Sequence, residues 1–356
     1  MPHLNVKEGT VDLMSAKAKK PRTAVRIVRN ILLIVLAAIL VLLLGVRLFF
    51  RLSVAEYYLR SSRSFVIPGL NSGMTVQGLA YDEWGKEFYV TGYRSDGKAS
   101  QLSTVSRDTG RETRRLWLAD ENGQPFLGHV GGVAVSGDYV YIADENGLVV
   151  YDYREIRDAE NGDTVKAHGV FSTKAGDDAL PVAFVHAEGD KLYVGEFYRE
   201  QNYPTPESHH YRTQAGDGNT ALILVYSLDK SAQYGIAPTI ERAYSAPGLV
   251  QGLCFDGEGR ICLSTSYAVA FSHLTLYDAD KAEGEVTVLG QTVPRYVLDR
   301  SSMHRSIKIA PMSEEIVYVD GRLYTMCESA SNKYIFGKFT SARYCYATDL
   351  SAYEKE

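Results

Sequence analysis

The 356 residues carry 38 Lys and Arg against 43 Asp and Glu, a formal net charge of −5. Removing the seven basic and two acidic residues of positions 1–30 from those totals leaves a net charge of −10 on the rest of the chain. That sign argues against nucleic acid as a partner, since phosphate recognition needs a basic surface, and four cysteines without a CxxC pair argue against a zinc-type metal site.

The first predicted segment, 1–30, is a basic tail in which Lys7, Lys17, Lys19, Lys20, Arg22, Arg26 and Arg29 face only Glu8 and Asp12. Residues 31–46, ILLIVLAAILVLLLGV, hold no charge, and the apolar run resumes after Arg47 as Leu48, Phe49 and Phe50. Together they supply the roughly 20 residues a helix needs to cross hydrocarbon, so 31–50 is predicted to span the lipid bilayer. The excess of basic residues before the span predicts a cytoplasmic N-terminus and an extracytoplasmic remainder. A cleaved signal peptide would have an apolar stretch of roughly 7 to 15 residues ending in a small-x-small site. This run is longer and ends in large residues, so an uncleaved signal-anchor is expected, followed by a short linker at 51–64.

Beyond the linker one unit recurs. The copies are VQGLAYDEWGKEFYVTGY from Val76, VGGVAVSGDYVYIADE from Val130, VAFVHAEGDKLYVGEF from Val182, VQGLCFDGEGRICLSTSY from Val250 and SEEIVYVDGRLYTMCE from Ser313. Apolar residues alternate at period two and Gly or Asp marks each turn, the pattern of a half-buried β-hairpin. A third strand follows each of the first four hairpins (SQLSTVSRD, GLVVYDYREI, ALILVYSLD, HLTLYDAD), and VKAHGVFS, TIERAYSAP and EVTVLGQT supply fourth strands for the second, third and fourth units. Four-stranded units in series make an all-β, five-bladed β-propeller over 65–356, five blades being preferred to six. After the fifth hairpin there is room for one more strand, near 343–349. The fourth is expected from FVIPGL, 65–70, whose pairing would close the ring, remove two sheet edges and hold the propeller near the bilayer.

The segment GGVAVSGDYVYIADENGLVVYD, residues 131–152, resembles the LVIVD type of propeller repeat, and the exported chain is similar to bacterial membrane-anchored or secreted propeller proteins of unassigned function. The resemblance implies the fold and no activity, because propellers host many unrelated functions. An anchor followed by a propeller is also similar to the strictosidine synthase-like and gluconolactonase families, which hold Ca²⁺ in the central channel. Their Glu, Asn and Asp ligands cannot be placed on these hairpins, so no ligand set for Ca²⁺ is identified and no cofactor is predicted.

In a propeller the starting ends of the innermost strands ring the mouth of a central channel, the default ligand site. Aligning the hairpins puts Gln77, Gly131, Ala183, Gln251 and Glu314 at equivalent first-strand positions, with Thr75, His129, Pro181, Leu249 and Met312 two residues earlier. The second strands end at Tyr93, Glu145, Phe197, Tyr267 and Glu328. Gln77, Tyr93, His129, Gln251, Tyr267, Glu314 and Glu328 are the expected ligand-binding residues. Carboxylates on different blades suit general acid and base work, and aromatic faces suit a sugar ring, so Glu145, Glu314, Glu328 and His129 are the catalytic candidates. His186 lies inside a strand and reads as structural. His209 and His210 fall in a polar stretch, 201–220, that reads as a solvated loop. Cys254 and Cys262 flank the turn DGEG and should face each other, as buried free thiols in preference to a disulfide.

No GxSxG, HExxH, P-loop or GxGxxG motif is present. The expected function is a membrane-tethered, extracytoplasmic propeller that binds a small molecule, carbohydrate or protein at its channel mouth. The alternative is a glycosidase- or lactonase-like hydrolase working through the channel carboxylates and His129.

Overall fold

The computed structural model describes residues 22–340 and 342–354. The chain divides into two compact units, Met1–Val46 and Arg47–Glu356. What is described of the first is helix, the start of an α-helix that runs Arg22–Leu52; the remainder of the expected basic tail, 1–21, lies outside the described residues. The stretch Val25–Leu52 has a mean hydropathy of 3.1 in its most apolar window and is long and apolar enough to cross a membrane. Helix begins nine residues before the expected start at 31 because Arg22, Arg26 and Arg29 are good helix formers and the nearest breaker is Pro21.

The second unit is a ring of five blades, each built on four antiparallel strands. Blade 1 is Met74–Asp82, Glu87–Arg94, Gln101–Ser106 and Glu112–Ala119. Blade 2 is Val133–Ser136, Tyr139–Asp144, Gly147–Asp152 and Gly169–Ser172, with a helix, Tyr153–Asp158, before its outer strand. The Asp152 carboxylate caps that helix by accepting from the amides of Arg154 and Glu155. Blade 3 is Val182–Glu188, Lys191–Glu196, Ala221–Leu228 and Ile236–Ala246, and blade 4 is Val250–Phe255, Ile261–Thr265, Ser272–Tyr277 and Met303–Ile309. Blade 5 is Ser313–Val319, Arg322–Cys327 and Tyr344–Thr348, completed by Ser61–Val66 from the other end of the unit. The five innermost strands touch in the order 1, 2, 3, 4, 5 and back to 1.

The closing strand pairs Phe65 with Cys345 and Val66 with Tyr344, and the Ile67 amide donates to the Arg343 carbonyl. It begins at Ser61 rather than 65, and the expected linker at 51–64 is mostly structured. Val54, Tyr57 and Tyr58 are buried, and both tyrosine rings pack on Tyr346 at centroid distances of 5.9 and 5.0 Å. Apolar burial turns a short connection into part of the core.

One other expectation changes. EVTVLGQT does not complete blade 4. It forms a hairpin, Ala282–Val288 with Gln291–Val297, that adds in parallel to the outer strand of blade 3, while Met303–Ile309 completes blade 4. Alternation identifies a strand but not its partner. Thr164–Lys166 similarly covers the outer edge of blade 1, so both additions shield edges that would otherwise offer free amides and carbonyls. Cys254 faces Cys262 across its hairpin, and both are buried free thiols.

At the axis the inner strands approach so closely that side chains are excluded. A Cβ on Gly132 would lie 2.6 Å from a Glu315 carboxylate oxygen, and one on Gly252 would lie 2.6 Å from the Glu315 Cα. The space so left is filled by Glu315 itself. Its Oε2 accepts from the amides of Leu79 and Val133, each at 2.8 Å, and Oε1 accepts from Val185 at 3.4 Å. The ladder slips beside each of these inner strands in blades 1 and 3, which leaves axis-facing amides in need of an acceptor. One carboxyl from blade 5 thereby staples blades 1, 2 and 3.

Candidate functional site

At the end of the ring where the inner strands begin lies a cavity of about 1160 Å³. All five second-strand ends, Tyr93, Glu145, Phe197, Tyr267 and Glu328, line it, as do all five first-strand positions, Gln77, Gly131, Ala183, Gln251 and Glu314. Of the residues two positions earlier, His129, Pro181 and Met312 reach it, whereas Thr75 and Leu249 do not. The expected binding and catalytic candidates therefore surround one cavity. Repeat geometry explains this: the same offset in each hairpin returns to the same radius and height.

The strands enter the axis through strained backbone. Val130, Leu249 and Met312 have φ of 51°, 65° and 63°, the left-handed region that a β-branched residue such as Val rarely adopts. In blade 2 this turn at Val130 separates His129, which lines the cavity, from Gly131, and the His129 amide donates to the Asp144 carboxylate.

From His129 a polar chain runs along the wall made by blades 2, 1 and 5. His129 Nε2 lies 2.8 Å from Gln77 Oε1; an amide oxygen only accepts, so Nε2 carries the proton in this assignment. Gln77 Nε2 donates to the Val76 carbonyl at 2.8 Å and to Glu328 Oε2 at 3.1 Å. Glu328 also hydrogen-bonds Tyr334 and neighbours Glu314. The imidazole stacks on Tyr93, centroids 4.5 Å apart, and the Lys333 ammonium donates to the Tyr93 hydroxyl.

Charge on this wall follows from burial. His129 is exposed toward the cavity, and desolvation by the protein around the ring together with the Lys333 charge pushes its pKa down to about 4. Burial pushes the Glu328 carboxyl up to about 7, against the hydrogen bonds of Tyr334 and Gln77 and the charge of Lys333. Glu314, 2% exposed, is raised well above the ordinary carboxyl range by burial and by repulsion from Glu328. At neutral pH the wall thus presents a neutral imidazole, a Glu328 carboxyl about half ionised and a Glu314 carboxyl that retains its proton.

Blades 3 and 4 supply a different surface. Phe197 and Tyr203 meet edge to face at 5.4 Å, beside Pro181, Val182 and Val269. Tyr267, 37% exposed, carries the Arg199 guanidinium 4.1 Å from its ring centroid. Glu145 is exposed at the lining, and Gln251 is half-buried there.

Sequence reasoning missed three contributors. Lys333 and Tyr334 come from the irregular connection between the second and third strands of blade 5, where no periodicity announces them. Tyr203 comes from 201–220, a largely exposed connection in which Thr205, His209, Thr213 and Asn219 are nevertheless buried. His209 in that stretch is 1% exposed, pairing through Nδ1 with Glu196 at 2.8 Å and through Nε2 with Asp178 at 3.3 Å. His210 Nε2 meets Thr205 Oγ1 at 2.9 Å, and Thr205 lines the cavity. His186 pairs with Glu188 at 3.3 Å on its strand. No group of three or more His, Cys, Asp and Glu side chains that could hold a metal ion occurs among the described residues.

Fold and site together define a five-bladed β-propeller with an axial cavity. Residues 127–152, which run from the cavity lining through the third strand of blade 2, match the LVIVD repeat. No curated protein matches the sequence of the chain. Among solved structures, the PQQ-bound aldose sugar dehydrogenase of Streptomyces coelicolor is 15% identical over 80% of this chain and 95% of that one, with a TM-score of 0.39. The glutaminyl cyclase of Myxococcus xanthus is 13% identical over 74% and 89%, with a TM-score of 0.38. The exo-β-1,3-galactanase of Phanerochaete chrysosporium is 12% identical over 82% and 64%, with a TM-score of 0.45. Scores this low transfer neither ligand nor chemistry.

Proposed function

We propose that the chain is a membrane-tethered propeller that binds a small molecule or carbohydrate in its axial cavity on the extracytoplasmic side. The observation that carries this reading is the convergence of all five blades on one cavity of about 1160 Å³ with a polar wall and an aromatic one. Ligand pockets commonly measure about 300 to 1,000 Å³ and combine apolar walls with a few convergent polar groups. The extracytoplasmic side follows from the basic residues before the apolar helix.

A hydrolase reading draws on Glu328, whose pKa of about 7 suits a general acid. Against it, Glu314 on the first strand of blade 5 and Glu328, directly after the second, adjoin the paired Ser313 and Cys327 on one side of the cavity. Glycosidase carboxyls flank the scissile bond from opposite sides. Binding is therefore favoured.

The test is thermal unfolding of the full chain in detergent micelles against sugars, lactones, small amines and Ca²⁺. One class should raise the melting temperature, since a ligand at 100 times its Kd adds about 2.7 kcal/mol. Absence of any shift would replace the small-ligand reading with a protein partner. Turnover of a sugar or lactone that disappears in Glu328→Gln would establish the hydrolase.

A further inference from the structure

Glu314 lines the cavity and is 2% exposed, and its carboxyl has no hydrogen-bond partner among the described residues. The acids beside it are already satisfied: Glu315 accepts from three backbone amides, and Glu328 accepts from Gln77 and Tyr334. A buried carboxyl without a donor is costly, so this wall has a demand for donors that the fold leaves open. The nearby cation, Lys333, is on an exposed connection. Its ammonium lies 4.7 Å from the Tyr93 ring centroid and 5.1 Å from that of Tyr334. Its charge acts on both Glu314 and Glu328, yet no ion pair joins it to either acid among the described residues. Two π faces and two acids thus favour an ammonium group at this end of the cavity.

We propose that the cavity takes a primary-amine ligand whose ammonium seats between Glu314 and Glu328 against the rings of Tyr93 and Tyr334, displacing the ammonium of Lys333. An ammonium brings three donors and no acceptor, which matches the open acceptor sites of Glu314, and its charge favours release of the Glu314 proton to solvent as it seats. The apolar surface around Phe197 and Tyr203 receives the rest of the molecule. This inference rests on the small-ligand reading and specifies its chemistry.

Isothermal titration of the full chain in detergent with three matched charge classes tests it: phenethylamine and tryptamine, the alcohols 2-phenylethanol and tryptophol, and the acids 3-phenylpropanoate and indole-3-propanoate. The amines should bind about tenfold tighter than their alcohols, the acids should not bind, and Glu314→Gln should remove the amine preference while keeping the shape. Lys333→Ala, a change on an exposed side chain, should tighten amine binding about threefold by removing a competing cation. Alcohols or acids that bind as well as the amines, an amine preference that survives Glu314→Gln, or weaker amine binding in Lys333→Ala would overturn the amine assignment and leave the cavity reading standing. No heat from any of the six titrants would count against both.

Discussion

Two clusters of buried acids lie in blades 3 and 5, and they are organised in opposite ways. Asp178 and Glu196 enclose His209, which takes a contact from each, while Glu196 also accepts from the Leu222 amide and Asp178 from that of Leu289. The cluster ties the 201–220 stretch and the added hairpin to blade 3. Glu314 and Glu328 have no such ion between them and face a cavity. The sealed Glu196–His209 pair must balance its own charge, because nothing else can, while the part-exposed Asp178 reaches solvent. An open one can be completed from outside. Buried polarity therefore marks structure where it is internally satisfied and a site where it is not.

Glu315 gives the sharpest test, since it neighbours Glu314 in sequence yet belongs with the satisfied group. Replacing it by Leu strands three amides at the axis, each unsatisfied buried donor costing about 1 to 3 kcal/mol. The expected loss is about 4 kcal/mol or more, read from urea unfolding of the detergent-solubilised chain. Glu315→Gln retains one acceptor and should lose about half as much. A loss below about 1 kcal/mol would remove the axial staple and with it the distinction between adjacent acids.

The next largest effect belongs to His209. Burial works to lower its pKa, but the adjoining Glu196 and Asp178 outweigh burial and raise it. His209→Leu leaves a buried carboxylate without its counter-ion and should cost about 3 kcal/mol at pH 6. Because the folded-state pKa is raised, the contribution is complete below the unfolded value of about 6.5 and is lost as pH rises through the folded value. His129 runs the other way. Its folded pKa of about 4 keeps it neutral, so its contribution is present above about 6.5 and fades as pH falls toward 4. Urea titrations at pH 5 to 9 should show the penalty of His209→Leu shrinking as pH rises. A penalty that grows with pH would mean that the imidazole is neutral in the fold and that the sealed cluster is not charge-balanced.

How far the sequence reveals these features depends on whether they obey the repeat. The blade number, the closing strand and the cavity-lining positions follow from hairpin spacing, because strand alternation and ring closure leave few other arrangements. Where the chain departs from the repeat, local pattern loses its force. The hairpin from Ala282 carries the same alternation as a blade strand, but its partner is chosen by packing on blade 3. Lys333, Tyr334 and Tyr203 reach the cavity from irregular connections. His209 sits in a polar stretch, and its own burial depends on Glu196 and Asp178, contributed from elsewhere in the chain. Glu315 left a readable signal: the equivalent positions in the other blades are Gly78, Gly132, Phe184 and Gly252. A lone acid where three repeats carry glycine points to a group that fills the space the glycines vacate.

Replacing Glu314 should produce the smallest change in stability and the opposite sign. The residue contributes no hydrogen bond that its loss would break, and its burial beside Glu328 is unfavourable in either protonation state, through desolvation or repulsion. Leu approximates its volume and removes both penalties, so Glu314→Leu should be neutral or stabilising by about 1 kcal/mol. Urea unfolding of the detergent-solubilised chain reads the change directly. Sites built for a ligand commonly carry such uncompensated groups at the expense of stability. A loss of about 3 kcal/mol would instead be the signature of a partnered buried acid, as expected for the cluster around His209. Glu314 would then be part of the scaffold, and the contrast between sealed and open clusters would fail at the residue on which it depends most.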